Sequence, residues 1–107
     1  MKQFNIKAIS KKLGYVFKDN ALLITALTHR SVGSKHNERL EFLGDSVLNT
    51  VISTALFEQY PHANEGVLSQ MRSTLVCENQ LIQLASDLDL KNYLQLAPSL
   101  KKQGGPI

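Results

Sequence analysis

Glu38, Glu41 and Asp45 recur at spacings of three and four residues within a segment rich in leucine and valine. On a helix turning about 100° per residue they fall within roughly 60° of one another and form one acidic stripe. Carboxylates one turn apart repel each other unless a cation sits between them, and hard oxygens at this spacing are what magnesium or manganese takes as ligands. The plain alternative is that three acids near a helix N-terminus offset the macrodipole and face water. Against it, the stripe runs on into Leu48, Ile52 and Leu56, which is a poor solvated face. Leu40, Leu43, Val47 and Val51 supply another apolar stripe about a third of a turn away. Phe42 projects from the side left over, with Arg39, Ser46, Thr50 and Ser53. A ring there is exposed in a monomer, and is either a lone surface aromatic or an anchor in a subunit interface; the second reading motivates a homodimer.

The elements that must hold these residues are helical. Apolar residues recur at helical spacing almost throughout, and strictly alternating runs are missing, so the fold is expected to be all-α and a single domain over residues 1–107. Ile6, Ile9 and Leu13 mark a first helix that Gly14 closes, and Asp19 or Asn20 caps a second containing Leu22, Leu23, Ala26 and Leu27. A polar stretch from Ser31 to His36 leads to the longest helix, capped by Asn37 and ended near Tyr60 by Pro61. Asn64 caps the next, with Leu68, Met71, Leu75 and Val76. A further helix from about Glu78 to Leu88 is expected to bury Leu81, Ile82, Leu84, Ala85 and Leu88. Beyond Leu90 the pattern weakens, and Pro98, Gly104, Gly105 and Pro106 mark turn or loop.

Composition bounds the function only loosely. Twelve basic against nine acidic side chains, a net charge of +3 and a pI near 9.1 suit a polyanionic partner, but so slight an excess does not show RNA binding. Cys77 is the only cysteine, which excludes an intrachain disulfide and a cysteine zinc site and fits a reducing cytosol. The N-terminus lacks the apolar stretch of a signal peptide, and no segment reads as a bilayer span, so the expectation is a cytoplasmic protein with no membrane partner.

The ten-residue run Asn37-Glu38-Arg39-Leu40-Glu41-Phe42-Leu43-Gly44-Asp45-Ser46 resembles the ribonuclease III signature in full. Ala26-Leu27-Thr28-His29-Arg30-Ser31 before it is similar to the family at the corresponding place, as are Glu65-Gly66, Leu68-Ser69, Arg72, Leu75 and Val76 after it. The resemblance extends from about Leu13 to Gly105. It implies an all-α endonuclease domain of bacterial type that dimerises through the signature helix and cuts double-stranded RNA with Mg2+, for which Mn2+ can substitute. The products carry a 5′ phosphate and a short 3′ overhang, in the processing of rRNA and mRNA precursors. Carried over by residue, Glu41 is a metal ligand and Asp45 is the essential catalytic carboxylate that also binds metal. Glu38 and Glu65 match acidic positions with supporting roles at the active centre or in substrate handling, and Phe42 matches the aromatic that packs into the partner subunit. Metal chemistry of this kind needs no Ser-His-Asp or Cys-His arrangement, and none is evident. His29 reads as a structural hydrogen-bonding residue, and His36 and His62 as surface residues. Arg30, Arg39 and Arg72 either contact phosphate or pair with the acids.

The chain departs from the family pattern in one respect. Family members carry a further aspartate and glutamate on a later helix that complete the metal site, and Ile107 precedes it; Asp87 and Asp89 read as surface residues, not substitutes. The usual double-stranded-RNA-binding domain is also absent. The expectation is therefore a piece of a longer enzyme or a naturally truncated chain, the first favoured because Lys101-Lys102-Gln103-Gly104-Gly105 resembles the family's connector into the next helix. Alone it is expected to be inactive, to hold metal weakly and to self-associate or pair abnormally with another copy through apolar surface along Leu48, Ile52 and Leu56. Two alternatives come from other classes: an RNA- or ribosome-binding module that kept the fold and lost the chemistry, and a helical interaction protein. The first has no reason to keep carboxylates that repel phosphates, and the second leaves the acidic stripe without purpose.

Overall fold

The computed structural model describes residues 5–99. Among the described residues five named α-helices follow one another, Ile6–Leu13 (α1), Asn20–Ala26 (α2), Glu38–Gln59 (α3), Glu65–Leu75 (α4) and Glu78–Asp87 (α5), and a 3-10 turn at Leu90–Tyr93 comes after them. Pro98 and Ser99 are helical, where the sequence suggested turn or loop at Pro98, and Gly104, Gly105 and Pro106 lie outside the described residues. Extended structure among the described residues is confined to one parallel bridge between Thr28 and Gln95. The fold is all-α.

Local chemistry sets most of the helix ends. The Asn5 side chain accepts from the Ala8 N–H at 3.0 Å, and the Asp19 carboxylate accepts from Ala21 and Leu22 at 3.0 and 3.3 Å. The Asn64 side chain does the same for Val67 at 2.9 Å. Each satisfies an N–H that the first helical turn leaves without an intrahelical partner. Gly14 ends α1 with φ at 68°, a left-handed conformation in which a side chain would clash, while Lys11 and Lys12 complement the negative end of the helix. Asp89 holds the other positive φ, 57°, and its carboxylate anchors the turn by accepting from Asn92 at 2.7 Å and meeting Lys12 at 3.8 Å.

Ile9, Leu23 and Leu27 are buried together at one end of the molecule, against Ile6, Phe17, Leu90, Tyr93 and Leu94. This core joins α1 and α2 to the segment after α5, although some sixty residues of sequence lie between. α3 packs on α4, and Leu56 is the buried residue of that pairing. The stripes of α3 divide differently from the sequence expectation: Leu48 and Ile52 are half-buried and Leu56 buried, whereas Leu43, Val47 and Val51 are exposed. The buried side read for α5 also needs correction. Leu81, Ile82 and Leu84 are exposed and only Ala85 and Leu88 are half-buried, because α5 meets α4 and the 3-10 turn along a narrow line. The radius of gyration, 16.1 Å, exceeds the roughly 13 Å of a compact domain of this length.

One exclusion drawn from the sequence is overturned. α3 has 22 residues, and an 18-residue window of it reaches a mean hydropathy of 1.2, which meets the length and composition of a bilayer span. Its charges crowd into the first two turns, Glu38 to Asp45, and only Glu58 follows, so the remainder is mostly aliphatic, Ser and Thr, with Asn49, Phe57 and Gln59. The core helix of a water-soluble domain passes the same test when it is mostly buried, whereas 6% of this window is buried within the chain.

Candidate functional site

The start of α3 is held by a junction of backbone and side-chain bonds. The Leu27 carbonyl accepts from the Gln95 N–H at 2.8 Å, and the His29 N–H donates to the Gln95 carbonyl at 2.9 Å. Thr28 between them is 6% exposed and its hydroxyl donates to the Ile24 carbonyl at 2.6 Å. The Ser31 hydroxyl oxygen accepts from the Ala97 N–H at 3.0 Å, while its own N–H donates to Nδ1 of His29 at 3.1 Å. The Thr-His-Arg-Ser run thus fastens the 95–97 segment beside the approach to α3. His29 is structural, as its sequence context suggested.

A cleft of about 480 Å³ opens there, lined by His29, Arg30, Asn37, Glu38, Glu41, Leu94 and Leu96. Glu38 is occupied: Arg30 reaches its carboxylate at 3.5 Å, Nε2 of His36 lies 3.8 Å from it, and Nδ1 of His36 accepts the Glu38 N–H at 3.4 Å. His36 is therefore half-buried and engaged, where the sequence suggested a free surface residue. Glu41 faces the same cleft, and neither it nor Asp45, one turn further along α3, has an ion pair among the described residues. Among the described residues the stripe sorts into one paired carboxylate and two unpaired ones.

Glu65 lies elsewhere. It opens α4, accepts from the Ser69 hydroxyl at 3.3 Å, and lines a groove of about 420 Å³ with Ser53, Leu56, Phe57, Leu68, Ser69 and Arg72. Arg72 spends its donor on the Ser53 hydroxyl at 2.8 Å. Ser53 is two turns beyond Asp45, about 12 Å along the axis, so the chain by itself does not gather Asp45, Glu38 and Glu65 into one catalytic group. Among the described residues no three His, Cys, Asp or Glu side chains converge as a metal site. Asp87 and Asp89 stay local, Asp87 accepting from Gln83 at 3.0 Å and Asp89 serving its turn. Phe42 is 80% exposed, and none of the described residues covers it.

Asn37 is the residue of the site that sequence reasoning missed. Read as the cap of α3, it stands at the cap position but makes no side-chain cap bond. Its Nδ2 donates instead to the Ala26 carbonyl at 3.1 Å, eleven residues back. Local spacing carries no signal for so distant a partner. Leu94 and Leu96, the apolar wall facing the acids, were equally hidden in a weakly patterned segment.

The family model described as Ribonuclease-III-like matches residues 19–106. The chain belongs to the ribonuclease III family. It is 55% identical over 101 residues to Ribonuclease 3 of Shewanella piezotolerans and 54% identical over 100 residues to that of Proteus mirabilis. These matches cover 94% of the chain and 45% and 44% of the relatives, so the chain spans less than half their length. The nuclease domain of ribonuclease III from Campylobacter jejuni superposes with a TM-score of 0.88 at 42% identity, covering 94% of this chain and 71% of that one. That structure was described for flexibility in the region involved in its dimer formation. Family membership accounts for the all-α fold and for the ten-residue run that carries the acidic stripe.

Proposed function

We propose that the protein is an endoribonuclease of the ribonuclease III kind, acting on double-stranded RNA in the cytoplasm as a homodimer with Mg2+ or Mn2+, and leaving 5′ phosphates and short 3′ overhangs in rRNA and mRNA precursors. The observation that carries the reading is the pair Glu41 and Asp45, one helical turn apart, exposed and without an ion pair among the described residues, beside a Glu38 that Arg30 already engages. Their donors suit a hard divalent ion in kind, and they are two carboxylates, fewer than a closed site uses. Asp45 and Glu41 would hold such an ion, which when bound would make water nucleophilic at neutral pH and offset charge on the phosphate and the leaving oxygen. Glu38, through its ion pairs, keeps the first turn of α3 against the cleft, and the uncovered Phe42 anchors the second subunit.

A binding module that has lost the chemistry is not favoured, because the relatives at 54–55% identity are Ribonuclease 3 and the free acid pair has no use in it. The test is cleavage of a long RNA duplex by residues 1–107, and by the same residues extended with the later helices of a ribonuclease III nuclease domain, in equal magnesium and salt. The extended chain should cut and the shorter one should not. Asp45→Asn should abolish cutting by about a thousandfold or more while RNA stays bound, and Glu41→Ala should regain part of its activity in excess Mn2+. Near-normal turnover of Asp45→Asn in saturating magnesium would refute the reading.

A further inference from the structure

We infer that Asn37 is a positioning residue for the α3 carboxylates, a tether that sets where Glu38 and Glu41 stand and not a helix cap; the inference rests on the metal-site reading given above. Three hydrogen bonds meet at this residue. Its Nδ2 donates to the Ala26 carbonyl at 3.1 Å, its N–H donates to the Thr28 carbonyl at 2.9 Å, and its own carbonyl accepts from the Glu41 N–H at 2.8 Å. Ala26 is the last residue of α2, where carbonyls run out of intrahelical partners, so the carboxamide closes one helix while its backbone opens the next. A carbonyl can only accept, so the bond to Ala26 requires a donor, which asparagine has and ionised aspartate lacks. The two bonds fix α3 to the stretch that also carries the Gln95 bridge, and the third passes that placement to the backbone of Glu41. Asn37, Glu38 and Glu41 line one cleft, whose far wall, Leu94 and Leu96, belongs to the bridged segment. Acids and wall are thereby referred to the same anchor.

The two roles are separable, because aspartate and serine cap helices about as well as asparagine, while ionised aspartate has no donor and the serine hydroxyl ends one bond short of Nδ2. Asn37→Asp and Asn37→Ser, in residues 1–107, should keep the helicity seen by circular dichroism. In metal-free buffer, amide exchange at His29 and Gln95 should quicken by about fivefold, the effect of losing one hydrogen bond. In Asn37→Ser, which adds no charge to the cleft, the midpoint of Mn2+ binding, followed by electron paramagnetic resonance, should rise by a comparable factor of about five. Unchanged exchange in both variants would overturn the tether, as would exchange that quickens equally at Leu68 and Arg72 in α4, which reports general loosening. Quickened exchange with an unmoved Mn2+ midpoint would overturn the positioning role. A wild type whose Mn2+ binding ignores Asp45→Asn refutes the metal reading instead, and the exchange arm, read without metal, still decides the tether.

Discussion

The two ends of this molecule solve the problem of burial differently. Around α1 and α2, Ile9 is fully buried, Leu23 and Leu27 nearly so, and side chains from the segment after α5 complete the enclosure. Along α3, only Leu56 is buried, while Leu43, Val47, Val51 and Phe57 are more than half exposed and Phe42 is four-fifths exposed. The first region finishes its core from its own sequence. The second displays an apolar face of a kind that monomeric soluble proteins rarely leave to water, and that face flanks the acidic stripe. What separates them is the source of their partners, since α1 and α2 recruit residues late in the chain, while beyond its first turn α3 packs chiefly on α4 among the described residues.

Truncation on each side should expose the contrast most strongly. Ile9→Ala should cost about 3 kcal/mol, as a fully buried aliphatic does, whereas Val51→Ala should cost less than about 0.5 kcal/mol in dilute solution, since little burial is lost and alanine favours helix. Urea melts at low protein concentration read both, and equal losses would break the comparison. Phe42→Ala tests what covers α3 in solution. As an interface anchor it should weaken self-association by about 2 kcal/mol, roughly thirtyfold in dissociation constant, by sedimentation across a dilution series. An unchanged dimer would place the interface elsewhere. Gly44 gives a smaller effect than Ile9 or Phe42, and one of opposite sign. A Cβ there meets nothing within 4 Å in the single chain, so Gly44→Ala should stabilise the monomer by up to about 1 kcal/mol through helix propensity. A loss of self-association in the same variant would show that the open space is filled by the second subunit.

Much of the first region and of the helix order was legible because its causes are local. Gly14, Asp19 and Asn64 act within four residues of themselves, and the structure finds each in the role its chemistry suggests. The periodicity of α5 and α3 was legible too, but periodicity names an apolar face without saying what covers it, which is why Leu81, Ile82 and Leu84 were misread as buried. The Thr28 to Gln95 bridge left no pattern, since a single bridged residue on each side makes no alternation. Asn37 was read by its type, which suits a cap, while its partner is set by the path of the chain between α2 and α3. The acidic stripe was visible from spacing alone, yet its division into a paired Glu38, a free Glu41 and Asp45, and a separate Glu65 depends on contacts with Arg30, His36 and α4.

That division is the centre of the account, and paramagnetic mapping tests it most directly. Mn2+ titrated into isotopically labelled residues 1–107 should broaden the NMR signals of Glu41 and Asp45 first, spare Glu65 and Asp87, and lose its effect on α3 in Asp45→Asn. Broadening centred on Glu65 or on Asp87 and Asp89, or broadening of α3 that persists in Asp45→Asn, would contradict it.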